Sequence, residues 1–565
     1  MAFALLGLGA LAIVGRLVQL QVLQHDRWAA LAKAAQEDVV EIPQRRGTIY
    51  DRSGLPLARD VPGYSIALDN YHMTKPELLV ALLREELGLS PEEAAAKVYR
   101  ESYFTWLARG VDKEVGDRLR DRARELGIRG LMFFDTWVRT YPQGRLAPEI
   151  LGVVGVDGHG LEGLELAFDE LLRGTPARYH LLRGRDGRVY DLWVEAPGHP
   201  GEDLTLTLDA RFQRVCEEKV AWGVETFKAG RGFALVMDPR SGAVLALAQY
   251  PRYDPEDPEL GLLHSWAVTD VFEPGSTFKA LVGLAALDQG LITPDTLFNG
   301  DSPYIVDGVR IENAEGKSYG TITFRVAIVR SVNTVLVQVA LRLGAERLYE
   351  YLVRMGFGRP TGIELPGEAA GILKPPEEWR DLDLAVASFG QGVAVTGIQL
   401  GAAFCALANG GTLLRPHILP GPPEPVSQVA GQEACRSMRD MMRSAVYSSV
   451  GTCRSIRLVS EAARGLEVAA KSGTGQKAIP EGGYSSEHVF GDVVAMFPWD
   501  SPRYVILVGY DDLPAKRWDP YKQQVTYVWG GSTAGPTVGH IIQALVEQGL
   551  LSPQVRESTE LGRSG

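Results

Sequence analysis

The sequence predicts an α/β (α+β) catalytic domain whose sheet is gathered from distant parts of the chain. An elongated mixed domain and an apolar N-terminal helix are expected to precede it. Three observations lead there. Strand-like runs lie at both ends of residues 233–510, while the middle of that segment, roughly 276–450, reads as helical. A Pro- and Gly-rich linker, Ala196-Pro-Gly-His-Pro-Gly201, separates it from a charged, turn-rich N-terminal region. The 565 residues, 45% hydrophobic and 23% charged, also leave room for two to four globular domains.

Taken in order, Met1 to Gly15 is uncharged, Arg16 interrupts, and Leu17 to Leu23 is apolar with interspersed Gln. Fifteen helical residues rise only about 22 Å, against a hydrocarbon core of roughly 30 Å. Continuing past Arg16, whose side chain can snorkel, to Leu23 supplies the length. Residues 1–23 are therefore expected to be a single membrane anchor, with everything after about residue 25 on one side. A buried core helix is the alternative. Nothing basic precedes Arg16, which argues against a cleaved signal peptide and leaves open a start upstream of Met1.

Residues 24–200 carry helical stretches at Pro76–Glu86 and Pro91–Arg100, each with Pro and acidic residues in its first turn. Val111–Leu126 alternates acidic and basic residues, as a solvated helix face does. The catalytic domain, residues 201–553, opens with Leu204-Thr-Leu-Thr-Leu208, which alternates like a strand, and Asp209 is placed to cap the following helix. Phe233–Asp238 and Ala243–Ala248 form a hairpin around Gly242. Val489–Phe497 and Tyr504–Tyr510 are further strands, Gly539–Leu550 is a closing helix, and residues 554–565 form a polar tail.

Composition also excludes functions. The 58 Lys and Arg against 70 Asp and Glu give a net charge of −12, which argues against a nucleic-acid partner. Cys216, Cys405, Cys435 and Cys453 have no C-x-x-C spacing and the nine His no H-x-x-x-H pair, so no metal or other cofactor is expected. A Cys435–Cys453 disulfide stays open, with unpaired buried thiols preferred.

Three short motifs carry the chemistry. In Glu273-Pro-Gly-Ser-Thr-Phe-Lys279, Pro-Gly ahead of an apolar run puts Ser276 at a helix N-terminus, and Lys279 lies one turn on. A desolvated neutral lysine can activate a serine. Alone, S-x-x-K means little, because a capping Ser and a surface Lys give the same pattern. Ser331-Val-Asn333 then places two polar residues inside the apolar stretch Ala327–Leu341, where they need partners such as a catalytic lysine. Lys471-Ser-Gly-Thr474 follows Val468-Ala-Ala470, so the lysine is expected to end a strand, with Gly473 letting a substrate lie against the backbone. The three patterns occur once each, in this order.

This combination resembles serine β-lactamases and penicillin-binding proteins, and specifically the class B penicillin-binding proteins, monofunctional peptidoglycan D,D-transpeptidases. Arg45-Arg-Gly-Thr-Ile-Tyr-Asp-Arg-Ser-Gly54, Arg139-Thr-Tyr-Pro-Gln-Gly144, Ile150-Leu-Gly152 and Gly160-Leu-Glu-Gly-Leu-Glu165 are similar to motifs of that family's pedestal (dimerisation-type) domain. Leu204–Gln213, Ile363–Gly367 and Ser388–Gly392 are similar to segments of its penicillin-binding transpeptidase domain. One departure is Ser472, where many relatives carry Thr; the hydroxyl is kept.

The resemblance implies that Ser276 attacks the penultimate D-Ala carbonyl of a stem peptide, releasing D-Ala, and that penicillins acylate the same serine. Lys279 accepts the Ser276 proton, Ser331 relays a proton to the leaving amine, and Asn333 holds Lys279 and the substrate amide. Lys471 attracts the substrate carboxylate and keeps Lys279 neutral by repulsion. Ser472 and Thr474 hydroxyls bind that carboxylate, and the backbone N–H groups of Ser276 and Thr474 form the oxyanion hole. Implied partners are peptidoglycan stem peptides, β-lactams, a glycan-polymerising membrane protein and a division or elongation scaffold, with the catalytic domain outside a bacterial cell membrane. The Glu-Pro-Gly-Ser form leans towards the division or sporulation branch. A β-lactamase or D,D-carboxypeptidase shares the motifs but does not need the pedestal. An antibiotic-sensing receptor needs additional membrane helices or a cytoplasmic domain, neither seen in the sequence, and a Ser-His-Asp hydrolase lacks G-x-S-x-G support.

Overall fold

The computed structural model describes residues 2–28, 37–70, 72–101, 104–183, 189–253, 264–478, 483–519 and 523–551. The expected tail, 554–565, lies outside them. Ala2–Val18 is α-helical and passes into a π-helical turn at Gln19–Leu23. Leu8, Leu11, Ile13 and Val14 stand exposed on it. Among the described residues no helix is long and apolar enough to cross a membrane. From Ala2 to Leu23 the expected span is helical, but its regular part rises only about 26 Å before the winding changes.

In the N-terminal domain the long strand Pro56–Leu68 pairs antiparallel with Thr105–Asp112 on one edge and Leu131–Thr140 on the other. Helices Pro76–Leu87 and Lys113–Glu125 bury Leu79, Leu82, Leu83 and Leu119 against Tyr64, Ile66 and Leu68. The second helical stretch ends at Val98 rather than Arg100, and its start is fixed by a Ser90–Glu93 capping box. A separate three-stranded sheet joins Glu37–Ile42, Ala177–Arg183 and Val189–Ala196.

The charged motifs of this domain converge inside it. The fully buried Glu165 accepts from Arg46 Nε at 2.5 Å and from Arg139 Nε at 2.7 Å, while Arg46 also reaches Asp169 and Arg139 reaches Asp60. Gly47 is required because a Cβ there would stand 1.8 Å from the Glu202 carbonyl oxygen. That contact ties the motif to the chain entering the catalytic domain. Only Leu204–Thr205 of the expected five-residue strand forms, and it runs parallel to Ile49–Tyr50 of the N-terminal sheet.

The catalytic sheet comprises β1 (Arg231–Met237), β2 (Val244–Tyr250), β3 (Ala469–Ala478), β4 (Tyr484–Phe497) and β5 (Tyr504–Pro514), in the order β2-β1-β5-β4-β3 and antiparallel throughout. Around it run α1 (Ala210–Phe227), α2 (Phe278–Asp288), α3 (Phe324–Arg330), α4 (Asn333–Leu343), α5 (Gly397–Asn409) and α6 (Gly530–Glu547). Asp209 caps α1 as expected, accepting from Arg211 N. Residues of α1 and α6 such as Val220 and Ile541 cover one face with Val236, Val493 and Val508. The helical layer of α2, α4 and α5 covers the other, against Leu235, Val494 and Leu507. α6 starts nine residues ahead of the expected Gly539. Its Gly-Gly-Ser-Thr opening reads locally as a turn, and packing overrides that preference. Lys471 is the third residue of β3, not its end.

Candidate active site

Ser276 occupies a single 3-10 turn, Gly275–Thr277, that leads into α2. Gly275 has φ +56°, and a Cβ on it would lie 2.5 Å from the Thr474 carbonyl oxygen. Gly390 abuts the same turn, 2.3 Å from the Gly275 carbonyl by the same measure. The turn is thus wedged between β3 and the Ser388–Gly392 loop, with Gly275 and Thr277 buried and Ser276 half-buried between them.

Lys279, one turn on, is fully buried. Its Nζ donates to the Ser331 carbonyl at 2.7 Å and to Asn333 Oδ1 at 2.5 Å, and lies 3.1 Å from Ser331 Oγ. The second motif is not inside one helix, as the apolar stretch suggests. It breaks α3 from α4, with Ser331 in the left-handed region (φ +59°), a conformation unusual for a non-glycine residue. The break lets both its carbonyl and its hydroxyl meet the lysine. Asn333 is held in turn by donating Nδ2 to the Glu312 carbonyl.

Lys471, also fully buried, donates to Ser331 Oγ at 3.0 Å and to the Ser472 carbonyl at 2.8 Å. The Ser331 hydroxyl therefore bridges two lysines. Neither has a carboxylate ion-pair partner among the described residues. Burial holds the Lys279 amine well below the ordinary lysine range, and the Lys471 charge adds to this. Burial therefore comes first, ahead of the expected repulsion. Lys471 is itself brought down to about 8 by burial, opposed by Cys453 and Asp492.

A neutral lysine has two N–H donors and one lone pair. At Lys279 the donors go to the Ser331 carbonyl and Asn333, leaving the lone pair to receive a hydroxyl proton. A Ser331 hydroxyl that accepts from Lys471 can donate to that lone pair. This arrangement can move a proton between a serine nucleophile and a second hydroxyl in a water-poor site.

On β3, strand alternation sets Lys471 and Gly473 on one face and Ser472 and Thr474 on the other. Thr474 Oγ1 accepts from Gly530 N at 3.0 Å, and Ser472 is buried. The space kept open at Gly473 is already used: a Cβ would meet the Pro274 carbonyl at 2.5 Å and Asp492 Oδ1 at 2.0 Å. That glycine serves the approach of strand and turn within the protein.

Glu364 and Glu368, two of the carboxylates between the second and third motifs, are engaged locally. Glu364 accepts from Ile418 N, and Glu368 from Thr361 and Gly362 N. All four cysteines are free and buried. Two residues near the site escape sequence reasoning. Glu273 accepts from Gly392 N and Tyr484 Oη, contacts that only the fold creates. Asp492 is the one charge in the apolar run Val489–Phe497, a signal that was there to read.

Residues 232–529 match the family model of the penicillin binding protein transpeptidase domain, and residues 41–206 that of the penicillin-binding protein dimerisation domain. The chain is 30% identical to the probable peptidoglycan D,D-transpeptidase PbpC of Pseudomonas aeruginosa, over 95% of this chain and 92% of that protein. It is 28% identical to the peptidoglycan D,D-transpeptidase FtsI of Escherichia coli, over 96% and 90% respectively. Penicillin binding protein 2X of Streptococcus thermophilus shares the fold, with TM-score 0.73 and 24% identity over 91% of this chain and 80% of that one. With the three motifs assembled around one pair of buried lysines, and both domains matched, the chain belongs to the penicillin-binding protein family, its transpeptidase domain carried behind a dimerisation domain.

Proposed function

We propose that the protein is a peptidoglycan D,D-transpeptidase of the class B type, acting through a serine acyl-enzyme in bacterial cell-wall synthesis. The observation that carries this reading is the buried lysine pair bridged by the Ser331 hydroxyl, one helical turn from Ser276. Ser276 attacks the carbonyl of the penultimate D-Ala, and its proton goes to Lys279. The Ser331 hydroxyl delivers a proton to the departing D-Ala amine, and Asn333 orients Lys279 and the substrate amide. Lys471, with the Ser472 and Thr474 hydroxyls, receives the terminal carboxylate. The N–H groups of Ser276 and Thr474 stabilise the oxyanion. A second stem-peptide amine then takes the acyl group, and a β-lactam enters the same path.

The helix beginning at Ala2 serves in this reading as part of a single-pass anchor. Its exposed Leu8, Leu11, Ile13 and Val14 need an apolar cover, and Arg16 sits where it can snorkel. The dimerisation domain faces a glycan-polymerising membrane protein and a division or elongation scaffold.

A fluorescent penicillin should give one covalent adduct, mapped by mass spectrometry to Ser276 and absent in Ser276→Ala. Label on another residue, or none, refutes the nucleophile. The adduct should persist for many minutes; release within seconds marks a β-lactamase instead.

A further inference from the structure

Asp492 plays no part in the roles assigned above, yet it lies against them. It is fully buried, and neither carboxylate oxygen has a hydrogen-bond partner among the described residues. Register sets it opposite Gly473 and one diagonal step from Lys471, whose own opposite is Val494. Diagonal neighbours on one face of an antiparallel pair are within reach of long side chains. Lys471, Gly473, Asp492 and Val494 thus share the face turned to the helical layer. The missing side chain at Gly473 is what admits the carboxyl, since a Cβ there would stand 2.0 Å from Oδ1.

The groups facing Asp492 are few. Lys471 comes from β3, the Cys453 thiol from the segment before it, and Thr277 from the turn holding Ser276, with Lys279 beyond Lys471. The Thr277 hydroxyl donates to the Pro274 carbonyl at 2.7 Å and also lies near enough to Asp492 to favour its ionised form against burial. Lys471 is the cation that acts on Asp492.

The Ser331 hydroxyl stands 3.1 Å from Lys279 and 3.0 Å from Lys471, so the bridge itself does not distinguish them. The reaction needs one lysine neutral and the other charged. An anion on the far side of Lys471 supplies the asymmetry. We propose that Asp492 is a positioning residue for acylation: a counter-ion behind Gly473 that directs the positive charge to Lys471 and leaves Lys279 neutral.

Burial pushes the Asp492 carboxyl up to about 8, so its charge develops over the range in which Lys471, brought down to about 8, loses its own. The anion formed there holds the proton on the lysine. The proposal rests on the roles given above to Ser276, Lys279 and Lys471.

The test is the second-order rate of Ser276 acylation by benzylpenicillin between pH 5 and 10, in the native protein, Asp492→Asn and Asp492→Ser. Both variants remove the charge but differ in volume. The alkaline limb should move to lower pH by about one unit in both, about a fivefold rate loss near pH 8 that approaches tenfold further up the limb. Limbs unchanged in a variant that melts like the native protein overturn the proposal. Carbon-13 spectra of native protein labelled at Asp carboxyls give a reading that needs no variant: the Asp492 carboxyl should be ionised where acylation is fastest, and a carboxyl still protonated there also overturns it. If the native protein forms no Ser276 adduct, the parent assignment falls; if it acylates and the limb stays, only the role of Asp492 does.

Discussion

Replacing Glu165 by Gln separates the stability of the N-terminal domain from catalysis. The carboxylate is fully buried and takes charge-assisted hydrogen bonds from Arg46 and Arg139, both nearly buried themselves. Gln keeps the shape and one acceptor oxygen but removes the charge and sets an NH2 donor against a guanidinium. Removing one partner from a buried ion pair costs about 3–5 kcal/mol. Asp169 and Asp60 remain on the two arginines, which puts the expected loss near the lower value, about 3 kcal/mol. For a domain of this size, 1 kcal/mol moves Tm by about 2–4 °C, so the N-terminal transition should fall by roughly 6–12 °C. Scanning calorimetry reads the transition, and penicillin labelling at 25 °C reads Ser276. Labelling should hold, because none of the groups around Ser276 touches this network. A Tm change below about 2 °C, or labelling lost in step with Tm, shows the argument to be wrong.

Glu149→Gln tests a buried carboxyl at the junction of the two domains. Burial, then the neighbouring Glu217, pushes Glu149 from 4.5 to about 8. A carboxyl raised in the fold contributes stability that is present below the unfolded value and is lost as pH rises towards 8. Gln does not titrate, so Tm of the variant relative to native should climb between pH 5 and pH 8; a constant difference contradicts this. Gly473→Ala places a methyl against the Pro274 carbonyl and Asp492, so acylation should drop at least tenfold while the far-UV spectrum is kept; native-like acylation refutes the close packing inferred there. A thiol reagent should label none of the four cysteines in the native protein and all four after denaturation, and a count of two on denaturation refutes the free-thiol assignment.

The local signals in the sequence were legible where chemistry is short-range. Pro-Gly before an apolar run was enough to put Ser276 at a helix start, and i+3 spacing was enough to put Lys279 on its face. The β1–β2 hairpin announced itself through Gly242, whose φ of +86° needs no side chain. Errors came where partners lie far along the chain. Leu204–Leu208 alternates like a strand, but only two residues find an edge to pair with, in another domain. Ser331 and Asn333 look like polar intrusions in one apolar helix; a lysine 52 residues from Ser331 makes the helix break there worthwhile.

The order of the three motifs by itself pointed to a serine and two lysines sharing one site, and the fold brings Lys279 and Lys471 to the same Ser331 hydroxyl. The Arg45–Gly54 and Gly160–Glu165 motifs likewise marked a domain, though not the buried charge network that explains them. Only the tertiary structure decided that both lysines are fully buried, that a single hydroxyl spans both, and that Gly473 makes room for a carboxyl from β4. Those outcomes depend on burial and on distances between strands, and a charge's energy changes several-fold with the depth at which it lies. Sequence spacing carries no information about that depth.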